Sequence, residues 1–81
     1  MSDAARLYRA SLDATEGWDQ FDYAERAHES EPGNVDYLLH YLDLASHLPT
    51  LVVRVTDNLP DALAADERVA SHRKAALAKL A

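Results

Sequence analysis

Four residues with potential metal-binding side chains recur at helical spacing in the middle of the chain. They are separated by four, three and four positions, and they are Asp36, His40, Asp43 and His47. Residues at these steps share one face of a helix, where carboxylate and imidazole groups can hold a divalent ion such as zinc. Metal sites usually also recruit groups from a second element. We therefore expect a solvated polar stripe opposite Leu38 and Leu42, with metal binding as a minor alternative.

The sequence carries no residue pattern for acid–base or nucleophilic catalysis. His28 and His72 are single histidines on predicted helices. A general base needs a positioned partner and a proton within reach, and the sequence pattern indicates neither. The possible nucleophiles are serines in helical contexts, namely Ser11, Ser30, Ser46 and Ser71. None lies in a nucleophile-elbow motif, and the 2 glycines are too few for a phosphate-binding loop. The sequence predicts that the protein is not an enzyme and has no cofactor.

The elements that position these residues are separated by glycine and proline. Gly17, the cluster at 32–34, Pro49 and Pro60 divide the chain into five segments, and none has the alternation of a half-buried strand. The predicted fold is all-α, a small bundle of four to five short helices in a single domain over residues 1–81. Its expected architecture is two helical hairpins plus a C-terminal helix.

The expected helices follow from capping residues and apolar spacing. They cover Ser2 to about Thr15, Trp18 to Glu31, Val35 to about His47, 50–59, and the segment after Pro60. Ser2 is expected to cap the first helix, Asn34 the third and Thr50 the fourth. The β-branched run at residues 52–56 favours extended structure. An isolated strand would have nothing to pair with, so the fourth segment is still predicted to be helical.

Apolar spacing also predicts which side chains form the core. In the first helix, Ala5, Tyr8 and Leu12 fall on one stripe. In the second helix, Trp18 and Phe21 are the expected anchors, because large aromatic side chains remove the most area from water. Each helix is thus expected to bury one apolar face.

Charge is segregated along the chain, although the net charge is only −6. Residues 13–43 carry nine acids and one Arg, a local charge of −8, whereas residues 68–81 carry four basic residues and no acid, a local +4. Such a field repels nucleic acid over the middle of the chain and favours a basic partner, or the basic end of a second copy. The alternative is that both segments are ordinary solvated faces.

Composition restricts the cellular setting. The chain has 0 cysteines, which excludes disulfides and thiolate zinc sites and favours a reducing, cytoplasmic location. The start of the chain lacks a basic region followed by an apolar core, so no export signal is expected. No apolar run approaches the roughly 20 residues of a membrane span. The expected partners therefore include neither nucleic acid nor membrane.

A stretch in the first half resembles the tetratricopeptide repeat family. Ala27, Pro32 and Asn34 have the spacing found where one repeat of that family ends and the next begins. The resemblance covers residues 17–45, and it departs from the family in the position of Gly17 and in Tyr8, where a small residue is usual. It implies a helical hairpin that binds a protein or peptide, and no ligand-binding residue is carried over.

The favoured function is a small acidic module for protein–protein interaction that binds another protein or a second copy of itself. The predicted apolar contact residues are Tyr23, Tyr37, Leu77 and Leu80. The predicted charged contact residues are Glu25, Glu29, Glu31, Lys74 and Lys79. Tyr41 is expected to pack in the core instead.

A second hypothesis is an acidic inhibitor or nucleic-acid mimic that occupies a basic groove on a target protein. Its motivation is the local charge of −8. The carboxylates that would enter the groove are Asp13, Glu16, Asp19, Asp22, Glu25, Glu29 and Glu31. Binding through them should weaken steeply with salt, whereas binding through an apolar interface should persist.

Overall fold

The computed structural model describes residues 3–81, and these residues form six helices and no strand. The helices are α1 Asp3–Asp13, α2 Gly17–Ser30, α3 Val35–Leu44, α4 Pro49–Asp57, α5 Asp61–Ala64 and α6 Glu67–Leu80. The predicted all-α class is confirmed, with six helices in place of four to five. No helix in this part of the chain has the length and apolar character needed to cross a bilayer.

The chain divides into two compact units. Unit 1 is Met1–Leu44 and contains α1, α2 and α3, and unit 2 is Ala45–Ala81 and contains α4, α5 and α6. Each unit buries apolar side chains of its own. The single domain over residues 1–81 stays a prediction.

Unit 1 is built around a close approach of α1 and α2. The small side chains of Ala4, Ser11, Ala24 and Ala27 are each 0% exposed, and they let the two helices pack closely. α3 then supplies the larger buried side chains, which are Leu38, Tyr41 and Leu42. The expected core position of Tyr41 is confirmed.

Two predictions about the core of unit 1 are wrong. The buried face of α1 runs through Ala4 and Ser11, so Ala5 and Leu12 of the predicted stripe are exposed. Helical spacing alone does not distinguish neighbouring stripes, and the close contact with α2 selects small residues. Trp18, predicted to be buried, is 78% exposed because it lies in the first turn of α2.

The turn between α2 and α3 follows the expected capping pattern. The backbone N–H of Tyr37 donates to the side-chain Oδ1 of Asn34 over 3.1 Å. This bond satisfies one of the free N–H groups at the start of α3, so Asn34 is the predicted N-cap. The cap predicted at Ser2 lies outside the described residues.

The β-branched segment is helical, as predicted. Val52 and Thr56 of α4 are buried, and the Thr56 hydroxyl donates to the carbonyl of Val52 at 2.8 Å. The predicted cap at Thr50 is wrong, because Pro49 already occupies the first helical position and Leu48 precedes it without a side-chain cap bond. Proline suits that position, since its missing N–H would have no helical partner there.

The segment after Pro60 forms two helices in place of the predicted single one. Asp66 interrupts it, since its Oδ1 accepts the backbone N–H groups of Arg68 at 2.8 Å and Val69 at 3.4 Å. A short aspartate side chain bonds readily to nearby N–H groups and so favours a helix start over a helix interior. The cap therefore sets where α6 begins.

Candidate protein-binding surface

Unit 2 contains a small open cleft of about 230 Å³ beside α6, called here the unit 2 cleft. α4 contributes Thr56 and α5 contributes Ala64. The side chains from α6 are Val69, Ala70, Arg73, Lys74 and Leu77. The lining is mostly apolar, with two cationic side chains. Such a cleft can receive an apolar side chain that carries acidic neighbours.

The cleft exists because α6 presents two neighbouring stripes. Val69 and Ala76 are buried, whereas Ala70, Lys74 and Leu77 are exposed. Residues at these steps lie side by side on a helix, so the second stripe borders the packed one. Leu77 remains 45% exposed at the cleft wall.

Arg73 braces the cleft by linking α6 to α4. Its guanidinium donates to the hydroxyl of Thr56 at 2.9 Å and to the carbonyl of Val53 at 3.3 Å, and it pairs with Asp57 at 2.6 Å. A planar guanidinium can serve several acceptors at once. The charge of Arg73 is therefore largely committed within unit 2.

Lys74 is the cation at the cleft that remains uncommitted. Its side chain is exposed and makes no ion pair or hydrogen bond with any residue between 3 and 81. Two other cations of α6 are engaged, since Lys79 donates to the carbonyl of Ser46 at 2.9 Å and Arg68 pairs with Asp66 at 3.1 Å. The hydrogen bonds from Arg68 hold the pKa of the Asp66 carboxyl below its usual value.

The structure distributes the predicted apolar contact residues over both units. Leu77 and Leu80 are 45% and 50% exposed in unit 2, and of the two only Leu77 lines the cleft. Tyr23 and Tyr37 are half-buried in unit 1. The ring of Tyr37 packs against that of Tyr8 in a tilted arrangement, with 4.8 Å between ring centroids, so part of its surface is already used within unit 1.

The predicted acidic contact residues also differ in their surroundings. Glu29 is exposed, whereas Glu31 is half-buried. Glu25 accepts a hydrogen bond from the hydroxyl of Tyr41 at 2.8 Å, which gives it a structural role in unit 1. The two charged contact residues predicted on α6 also differ in their surroundings. Lys74 lines the cleft, whereas Lys79 donates a hydrogen bond to the carbonyl of Ser46.

The four residues considered as a minor metal-binding alternative do not all lie on the third helix. α3 ends at Leu44, so His47 lies in the following turn. His40 uses its Nε2 to contact the hydroxyl of Ser11 at 2.8 Å. In residues 3–81 no group of three or more His, Cys, Asp and Glu side chains has an arrangement that could hold a metal ion.

Ser11 and His40 form a polar pair in unit 1 that is unsuited to nucleophilic catalysis. The Ser11 hydroxyl donates its proton to the carbonyl of Gln20 at 2.7 Å, so His40 must be the donor in the second bond. A serine nucleophile needs the opposite arrangement, with histidine accepting its proton. Ser11 is also 0% exposed.

Both histidines that pack within unit 1 have lowered pKa values. Burial is the main cause for His28 and for His40, and it outweighs the opposing charges of Glu29 and Glu25 on the first and of Asp43 on the second. The buried Nδ1 of His28 also has no hydrogen-bond partner within residues 3–81. Protonation there would bury an unpaired donor.

We expect acid to destabilise unit 1 below the usual histidine pKa of 6.5. Because the folded-state pKa is lowered, the unfolded chain binds more protons, so stability is present above 6.5 and is lost as pH falls towards the folded-state value. Thermal unfolding between about pH 7.5 and 5 measures this loss.

The matched variant for this pH prediction is His28→Phe with His40→Gln. Phe keeps the ring beside Tyr41, and the Gln amide can still donate to Ser11. The thermal midpoint of the double variant should depend less on pH than that of the wild type. An identical pH dependence would show that these two histidines do not control it.

Two residues have surroundings that the sequence analysis did not predict, namely Arg73 at the unit 2 cleft and Trp18 on the surface of unit 1. Arg73 was treated only as part of a basic segment, yet it lies four residues beyond Val69 and so faces α4. Trp18 was assigned to the core. A signal of its exposure was available, since it sits at the start of a helix among Asp13, Glu16 and Asp19.

The described chain is thus an all-α protein of two helical units with a small cleft of apolar and cationic lining. Comparison with protein-family models, with curated proteins and with solved structures finds no match to the chain.

Proposed function

We propose that this chain is a small helical protein-binding module whose unit 2 cleft receives an apolar side chain from an acid-flanked segment of a partner. The observation that carries the proposal is the combination of a half-exposed Leu77 with an uncommitted Lys74 in one cleft. The leucine offers apolar area to be buried, and the lysine favours partners with carboxylates beside their anchor.

The size of the cleft supports a protein partner over a small molecule. Its volume of about 230 Å³ is smaller than the roughly 300–1,000 Å³ of typical small-molecule sites. It also has few polar groups that could fix the orientation of a ligand. A single anchoring side chain, held by additional contacts outside the cleft, fits this space better.

The tetratricopeptide-like stretch is compatible with the same function. Ala27 is 0% exposed at the packing surface of α2, and Asn34 caps α3. These are the physical roles that the resemblance implies, and that family binds proteins or peptides. We propose binding in the cytoplasm, because a chain without cysteine suits a reducing compartment.

Selection from a random-peptide display library tests this proposal without a known partner. Peptides with one aromatic or leucine anchor and neighbouring Asp or Glu should be enriched, because they match the lining of the cleft. Binding of a selected peptide, measured by fluorescence anisotropy, should weaken about tenfold or more in Leu77→Asp. Lys74→Glu should weaken it only about two- to fivefold, as expected for an exposed charge pair.

Matched controls come from α1 in the other unit. Leu12 is 53% exposed and Arg9 is exposed, so Leu12→Asp and Arg9→Glu make comparable changes of charge at residues that do not line the cleft. They should leave peptide affinity unchanged. If selected peptides bind the Leu77 variant as well as they bind the wild type, the binding surface lies elsewhere and the proposal is refuted.

The exposed acids support a second candidate function, an acidic inhibitor or mimic. Asp19, Asp22 and Glu29 are exposed along α2, and of these Asp22 pairs with Arg26 at 3.2 Å. Carboxylates on one helix could meet a basic groove. Affinity for a basic probe such as polylysine should then fall steeply between low and high salt, and this fall should be smaller in a variant with Asp19 and Glu29 neutralised.

A further inference from the structure

We propose that the partner is a second copy of this chain, and that Trp18 of one copy enters the unit 2 cleft of another. This inference rests on the proposed function of the cleft and names its occupant. It joins the exposed aromatic side chain of Trp18 in one molecule to the unit 2 cleft of another.

The first support is the exposure of Trp18. Its side chain is 78% exposed, whereas tryptophan is usually well buried in folded proteins. It is held at the start of α2 by an edge-to-face contact with Phe21, with ring centroids 6.4 Å apart. An aromatic ring held in this way loses little freedom on binding and is a common interface anchor.

The second support is charge complementarity. Three exposed carboxylates, those of Asp13, Glu16 and Asp19, flank Trp18 in the sequence, and none pairs with a cation within residues 3–81. Lys74 in the cleft has no carboxylate partner in the same range. Docking of Trp18 would bring unpaired charges of opposite sign together. The segments that contain them carry local charges of −8 and +4.

The contact joins different surfaces of the two copies. Two molecules that exchange both contacts form an isologous dimer, whereas molecules that make single contacts with different neighbours form a heterologous ring or chain. One anchor in a small cleft buries less area than the roughly 1,200 Å² of a stable interface, so association should be weak and concentration-dependent.

Sedimentation velocity from about 20 µM to 1 mM tests the proposal at concentrations suited to a weak interface. The mean mass of the wild type should rise with concentration, whereas Trp18→Ala and Leu77→Asp should each remain monomeric. An equimolar mixture of these two variants should associate again, because one supplies an intact cleft and the other an intact Trp18. Thermal unfolding confirms that each variant is folded.

An exchange of charges tests the same contact independently. Asp19→Lys and Lys74→Asp should each weaken association about two- to fivefold, as for exposed ion pairs, and a mixture of the two variants should recover much of the loss. Leu12→Asp, which alters an exposed leucine of α1, is the control and should associate like the wild type.

Two results would overturn the proposal. One is a wild type that stays monomeric at the highest concentration, and the other is a mixture of the Trp18 and Leu77 variants that fails to associate. If selected peptides still bind the cleft in either case, the proposed function stands and the occupant comes from another protein. If no peptide binds the cleft either, both proposals are wrong.

Discussion

Leu42→Ala is expected to destabilise unit 1 by about 2–5 kcal/mol, the range found when a fully buried leucine is truncated. Leu42 is 0% exposed in α3, so the substitution removes apolar contacts and leaves a cavity. Native domains have only about 5–15 kcal/mol of total stability, and the variant should lose a large part of it. Urea unfolding followed by near-UV circular dichroism measures the loss, because all 4 tyrosines lie in unit 1.

Leu12→Ala is the matched control for this core substitution. Leu12 is 53% exposed, so the same chemical change should alter the free energy of unfolding by less than about 0.5 kcal/mol. If both variants lose the same free energy of unfolding, Leu42 is not a core residue of α3, or Leu12 does not lie on the exposed face of α1.

Arg73→Met is expected to destabilise unit 2 by about 1–2 kcal/mol, because it removes hydrogen bonds from a charged donor that links α6 to α4. Met retains much of the aliphatic length but cannot donate to Thr56 or Val53. The ion pair with Asp57 is partly exposed and adds little. Hydrogen exchange in α4 and α6 should become roughly five- to thirtyfold faster, since 1.4 kcal/mol corresponds to a factor of ten.

The neighbouring Lys74→Met provides the control for this loss. Lys74 is exposed and makes no ion pair or hydrogen bond within residues 3–81, so exchange in α4 and α6 should stay close to that of the wild type. Arg73→Lys should give an intermediate rate, because a single ammonium group cannot reproduce the planar geometry of the guanidinium. If Arg73→Met exchanges like Lys74→Met, the network does not brace unit 2.

The helical class and most breaks between helices could be predicted from the sequence because they depend on local chemistry. Proline and the Asn34 cap act on neighbouring backbone groups, and the segment at 50–59 had no possible strand partner. The division at Asp66 is also local and was missed, since the alanines around it suggested one continuous helix.

The positions of individual side chains depend on contacts that spacing alone does not determine. Leu12 and Ser11 are neighbours, and the close packing of α1 on α2 buries the serine and exposes the leucine. In the same way, Trp18 is exposed although its type favours the core. Of the residues that line the cleft, Leu77 and Lys74 could be predicted as contact residues from the sequence. The role of Arg73 could not, because it depends on contacts with α4.

The most direct test of the central claim is a nuclear magnetic resonance titration of the ¹⁵N-labelled protein with a peptide selected on a display library. Binding in the unit 2 cleft predicts that the largest shifts map to Ala64, Val69, Ala70, Lys74 and Leu77. Shifts confined to the half-buried tyrosines or to the acidic residues of α2 would contradict a binding site in the cleft.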